Sequence, residues 1–192
     1  MKNIILILSA LLLVTKGFAQ DIEKWFNEGK NHWEQAKYSK AIKEFKKVIT
    51  NDSAMDLAGD AQFWIGKSYY YQWNLKKAIN EFQKVVENYK DSNLASDAQR
   101  WIGDCYYFSN KFNDAIKEYK KVIKGYPQSN NGIVAQYQIG KSHEKMGELK
   151  KARDAYQEIL TKYPDSKWIN QVKFEIGKVE YLIKKKKEKD DK

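Results

Sequence analysis

The constraint that most limits what this chain can fold into is a repeat of 37 residues. Glycines fall at Gly29, Gly66, Gly103, Gly140 and Gly177, each 37 after the last. Alanines keep the same interval at Ala41, Ala78, Ala115 and Ala152, as do the aromatics Phe45, Phe82, Tyr119 and Tyr156. A further aromatic recurs at Tyr89, Tyr126 and Tyr163. The stretch Ala61–Asp97 is identical to Ala98–Val134 at fifteen of 37 positions, which marks duplication of one unit rather than a shared composition. A period in this range specifies a solenoid, in which each unit buries its apolar face only against its neighbours.

Within the unit Ala98–Val134, Trp101, Ile102, Tyr106 and Tyr107 lie three to five apart and share neighbouring faces of one helix, helix A. Ile116, Tyr119, Val122 and Ile123 form the stripe of a second helix, B. Asn110 and Lys111 suit the turn between them. A mid-helix glycine costs about 1 kcal/mol relative to alanine, so close packing of A on B at Gly103 must offset it, with Ala115 as the small partner. Helix B stops near Tyr126 because Pro127 cannot continue it. Ser92, Ser129 and Ser166 are candidate N-caps. The A helices are therefore expected near 92–108, 129–146 and 166–184, and no segment reads as a strand.

These spacings resemble the tetratricopeptide repeat (TPR) family. The family slots are Ile102, Gly103, Tyr106, Ala115, Tyr119 and Pro127 in one unit, and Ile139, Gly140, His143, Ala152, Tyr156 and Pro164 in the next. The resemblance covers about Ile22 to Ile183. It implies an all-α solenoid of antiparallel helix pairs, about four repeats plus a C-terminal capping helix, coiled as a right-handed superhelix. The YP-x-S ending and A-Q-x-x-I-G opening are further similar to the C-terminal TPR domain of the YbgF/CpoB family, linked to Tol-Pal and cell division. They are also similar to BamD-type TPR proteins of outer-membrane protein assembly. BamD-type proteins are anchored through an N-terminal Cys, which this sequence lacks.

Residues 1–19 read as a secretory signal peptide: Lys2, an apolar run of twelve from Ile4 to Thr15, and Gly17-Phe18-Ala19 before a cut that leaves Gln20. That run is too short to span a bilayer, and no Cys adjoins the cut. One Cys in all excludes an internal disulfide. These features suggest a bacterial export substrate, in the periplasm of a diderm. The array is expected over 20–183, followed by a charged, disordered tail from Lys184 to Lys192.

No metal-ligand spacing, phosphate loop or nucleophile motif is present, so the sequence gives no support for an enzyme and implies no cofactor. Cys105 shares its slot with Ser68 and Ser142, where packing wants a small residue. His32 and His143 share theirs with Tyr69 and Tyr106, where a flat ring is wanted. Glu81, Glu118 and Glu158 are expected on the outward side of B helices, paired with lysines. The net charge of +10 is dispersed, without an Arg-rich face, and exported proteins rarely meet nucleic acid. An anionic lipid or wall surface is a better match for the basic tail.

The TPR resemblance places the partner groove on helix A, at slots three before, one after and four after the glycine. Those are Phe26, Lys30 and Trp33; Phe63, Lys67 and Tyr70; Arg100, Asp104 and Tyr107; and Tyr137, Lys141 and Glu144. Phe174, Lys178 and Tyr181 extend the row. Aromatics with interspersed cations suit a peptide with apolar anchors and acidic groups. The carboxylate clamp of some TPRs needs an Asn two before the next Lys, and Trp64-Ile65 and Gln138-Ile139 stand there instead. The expected function is an exported scaffold holding a protein or peptide partner at the bacterial envelope. The alternatives are an outer-membrane assembly scaffold, or a protein that binds wall or lipid through its tail.

Overall fold

A computed structural model describes residues 20–51, 55–90, 94–127 and 129–191. Segment 1–19, expected to be a signal peptide, and the expected cap Ser92 lie outside them. The described residues are helical with no strand: α1 over 20–34, α2 Tyr38–Ile49, α3 Met55–Tyr71, α4 Leu75–Asn88, α5 Ala95–Phe108, α6 Phe112–Gly125, α7 Asn131–Lys145, α8 Leu149–Lys162 and α9 Ile169–Asp190. Odd-numbered helices are A helices and even-numbered ones B helices. The chain divides into two compact units, one ending at Ala95 and the other starting at Ser96. Each is a stack of such pairs, a helical solenoid built from repeats.

In every pair the B-helix aromatic ring packs against the A-helix glycine. A Cβ placed on Gly29 would fall 2.6 Å from the Phe45 ring, one on Gly66 2.7 Å from Phe82, and one on Gly103 2.5 Å from Tyr119. Gly140 meets Tyr156 in the same way. All four rings are fully buried. The sequence reading made Ala115 the partner of Gly103, but the glycine makes room for a ring. The buried alanines Ala41, Ala78, Ala115 and Ala152 line the same B-helix stripe.

The four A–B turns share one geometry. Ala36, Trp73, Asn110 and Gly147 occupy one slot of the repeat and all have positive φ, from 55° to 72°. At each, the residue after donates its N–H five residues back and the slot residue donates three back, for example Lys111 to Tyr106 at 2.9 Å and Asn110 to Tyr107 at 3.0 Å. This is the paired-bond ending that satisfies orphan carbonyls at a helix C-terminus. Only Gly147 and Asn110 adopt that backbone cheaply. At the exposed Ala36 and Trp73 the same paired backbone bonds close the turn despite the residue type.

Three boundaries differ from expectation. The later A helices begin at Ala95, Asn131 and Ile169, two or three residues beyond the expected starts. Ser129 and Ser166 instead hold a turn ahead of the helix, accepting the N–H of Asn131 at 3.1 Å and of Trp168 at 3.2 Å. The tail is not disordered from Lys184, because α9 continues through it to Asp190. Lysine is a good helix former, and cations favour a helix C-terminus.

The first unit packs around Phe45, Val48, Ala61 and Ile65. The second has one cluster around Tyr119, Val122 and Ile139, and another around Tyr156, Ile159, Val172 and Val179. No helix among the described residues is long and apolar enough to cross a membrane. Gly103→Ala drives a methyl into the Tyr119 ring, and overpacking of this kind costs about 1–3 kcal/mol. Gly177 has open space around it, so Gly177→Ala stabilises by about 0.5–1 kcal/mol through helix propensity alone. Urea titration of the two variants will show midpoints displaced in opposite directions, and equal shifts would refute the ring-over-glycine account.

Candidate functional site: the A-helix row

In the first unit the row is a platform of rings with lysines held over them. The Lys67 ammonium lies 4.1 Å from the Trp64 ring centroid, 4.5 Å from Trp33 and 5.9 Å from Phe63. Lys30 lies 5.1 Å from Trp64. Trp33 meets Trp64 edge-on at 4.9 Å and Tyr71 at 5.4 Å, and Tyr71 stacks on Tyr38. Cations over aromatic faces gain roughly 0.5–2 kcal/mol each, depending on desolvation. Burial lifts the carboxyl of nearby Asp60 above its ordinary value, opposed by Lys30.

Not every expected row residue is available. Phe63 is buried against Phe82, with ring centroids 5.5 Å apart. Phe26 is half-buried, edge-on to Phe45. These two rings pack within their own repeats. Trp33 and Tyr70 are half-buried as well. Trp64 was not among the expected row residues, yet it lies between both lysines. Its slot, two before the glycine, is outside the three that the family pattern supplies. The signal was in the sequence, since Trp101 holds the same slot and takes Arg100 at 4.9 Å.

In the second unit the row is a charge-balanced network. Arg100 pairs with Asp104, which also accepts the Tyr119 hydroxyl at 2.7 Å. Asp104 is 5% exposed. Burial raises its carboxyl, against the pull of Arg100 and Tyr119. Burial and then Asp104 push the Tyr119 phenol far up. Glu144 accepts the Tyr156 hydroxyl at 2.7 Å and faces Lys178 at 2.8 Å and Lys141 at 3.1 Å. Glu175 pairs with Lys178 and accepts the Tyr137 hydroxyl at 2.9 Å. Burial disfavours both glutamates' charge, but Lys178 leads the hydrogen bonds that hold each below its ordinary value. Tyr137 is pushed up to about 12, by burial first and then by Glu175. Tyr107 is half-buried beside Phe108 and Phe112, its phenol raised by burial and by Glu144. Arg100, Lys141 and Lys178 thus meet Asp104, Glu144 and Glu175, so the row of the second unit carries little net charge.

Cys105 is buried, and burial pushes its thiol far up, against the reactive thiolate. Ser68 and Ser142, in its slot, bond to the carbonyls of Trp64 and Gln138, both at 2.7 Å. His143 fills its ring slot and also pairs with Glu148 at 2.7 Å. His32 is half-buried, and its Nδ1 has no hydrogen-bond partner among the described residues. Glu81 and Glu118 pair with Lys84 and Lys121 as expected. Both, however, turn inward to accept buried amides, Glu118 taking Gln99 at 2.7 Å and Glu81 taking Gln62. Glu158 is exposed and pairs with Lys162. Among the described residues no three His, Cys, Asp or Glu side chains are placed to hold a metal ion.

Stacked helix pairs with a side-chain row on their A helices define a helical-repeat scaffold for protein–protein contacts. Residues 60–92, 97–129 and 134–166, more than half the chain, match the tetratricopeptide repeat family model, and the chain belongs to that family. Proteins of this family serve generally as non-catalytic scaffolds. Among solved structures, MamA is 20% identical over 84% of this chain and 81% of its own, with a TM-score of 0.64. A MamA structure from AMB-1 is 17% identical over 87% of this chain and 85% of that one, at 0.59. A tetratricopeptide repeat protein from Parabacteroides merdae is 14% identical over 85% of this chain and 61% of that one, at 0.66. These likenesses show the fold. No curated protein sequence matches the chain.

The network makes the second unit acid-sensitive. Glu144 and Glu175 have folded values below their unfolded ones, so their stabilisation is present above the ordinary carboxylate value of about 4.3 and is lost as pH falls through the folded values. Glu144→Gln removes its share. Between pH 5 and pH 3 the unfolding midpoint of the variant will therefore drop less than that of the parent. Parallel profiles would show that Glu144 ionises alike in both states.

Proposed function

We propose that the protein is an exported scaffold that holds a protein or peptide partner at the bacterial cell envelope, on the A-helix row. The observation that carries this is the first-unit platform, where Trp33 and Trp64 present ring surface with the ammonium groups of Lys30 and Lys67 held over it. A partner segment with an apolar anchor and acidic flanks satisfies both features. The row of the second unit, taken by itself, is already neutralised and presents apolar and hydrogen-bonding groups at Tyr107 and Tyr137 rather than attraction for acids. Support for the envelope is the leader-like segment ahead of Gln20 and the YP-x-S and A-Q-x-x-I-G signatures, similar to the YbgF/CpoB and BamD-type proteins.

A second reading, binding of wall polymer or lipid headgroups, is favoured by one observation. The lysines from Lys184 to Lys187 stand exposed on the helical end of α9. Site-specific photo-crosslinking in cells separates the two. A probe at Tyr70 will capture one envelope protein, a control probe on the outward face of α2 at Lys43 will not, and Lys67→Gln will reduce capture several-fold. Equal capture at both positions refutes the row. Loss of envelope association on removal of Lys184–Lys192, with capture at Tyr70 intact, favours the surface-binding reading.

A further inference from the structure

Helix α9 repeats an A helix, yet its glycine stands alone. Gly29, Gly66, Gly103 and Gly140 each lie under an aromatic ring of the following B helix, whereas a Cβ on Gly177 would meet nothing within 4 Å. Around Gly177 the surface is not that of a simple polar cap. Phe174 is 67% exposed and Tyr181 63% exposed, and with Leu182 they put half of the exposed large hydrophobics among the described residues on this one helix. Phe174, Gly177 and Tyr181 are spaced i, i+3 and i+7, so the two rings flank the glycine notch along one side of the helix.

The repeat register states what belongs in that notch. The four B helices that cover a glycine carry alanine, then an aromatic four residues later, and in three of them Glu precedes the aromatic: Glu44-Phe45, Glu81-Phe82 and Glu118-Tyr119. Glu81 and Glu118 accept the buried amides of Gln62 and Gln99, four residues before the glycine. In α9 that slot is Lys173, exposed on the same face as Gly177. Lysine at the amide slot replaces a neutral donor by a cation, so the hydrogen bond becomes an ion pair with the incoming glutamate. Lys184, a further two turns along this face, adds positive charge.

We propose that the Gly177 face of α9 docks an amphipathic helix of a partner protein with the pattern Ala-x-x-Glu-(Phe/Tyr), its ring seated on Gly177 and its glutamate paired with Lys173. The partner helix stands where a fifth B helix would. This surface is independent of the first-unit platform and does not rest on the exported-scaffold reading.

The probe is a fluorescein-labelled peptide of the α4 sequence, Leu75–Asn88, with a hydrocarbon staple replacing the outward residues Asn80 and Lys84. It carries Ala78, Glu81 and Phe82 in the required register. Fluorescence anisotropy against the full chain will show saturable binding. Gly177→Leu, which fills the notch, will weaken it at least tenfold, and so will replacing Phe82 by Ala in the peptide. Lys173→Glu will weaken it several-fold. Gly177→Leu meets open space in the free chain, so its thermal midpoint will not fall, which separates blocked docking from misfolding. Lys67→Gln will leave the binding unchanged. Absence of saturable binding, or equal affinity for the parent and Gly177→Leu, overturns the proposal. Self-association of the chain that Gly177→Leu abolishes also overturns it, by giving the face to a second copy.

Discussion

An aromatic ring lying on a glycine is the contact on which each helix pair depends. It sets how closely A and B approach, because a side chain of any size at the glycine would collide with the ring. It also makes the glycine's helical cost worthwhile, since Phe45, Phe82, Tyr119 and Tyr156 are entirely removed from water. The tyrosines add a second role. Their hydroxyls, carried through the core, reach Asp104 and Glu144 on the A helices and tie buried packing to the charged row. The phenylalanines of the first unit have no such reach, and there the row is built from tryptophans and lysines instead.

That difference divides the row chemically. A cation over a ring keeps its charge while giving up part of its hydration. A cation facing a carboxylate is neutralised by it. Lys67 lies over rings, and Lys178 faces two carboxylates. Buried carboxylates such as Asp104 and Glu175 need their partners, because an unpaired charge there is expensive. The second-unit network thus stabilises the fold and leaves less of its polarity for a ligand, whereas the first-unit platform keeps ring surface and charge together.

Much of the fold was legible because the period is a property of the chain itself. Gly, Ala and aromatic residues 37 apart predict stacked pairs, and the pairs form. The A–B turn was only half legible: Asn110 and Gly147 signal a left-handed residue, whereas Ala36 and Trp73 in the same slot do not. The site was less legible still. Phe63 and Tyr70 both stand in row slots, and only packing against Phe82 decides that the first is buried. Trp64 falls outside the slots that the family pattern supplies, and its signal is the recurrence of Trp at 64 and 101 in this chain.

The sequence by itself determined the helix pairs and their register, because these follow from periodic spacing and from residues that permit or forbid close approach. The tertiary structure alone decided which row side chains remain available, since that depends on partners distant along the chain: Tyr119 for Asp104, Tyr156 and Lys178 for Glu144, Phe82 for Phe63. It alone decided that the lysine tail continues a helix. Composition says what a segment tolerates, but burial and pairing are settled only when the neighbouring helices are in place.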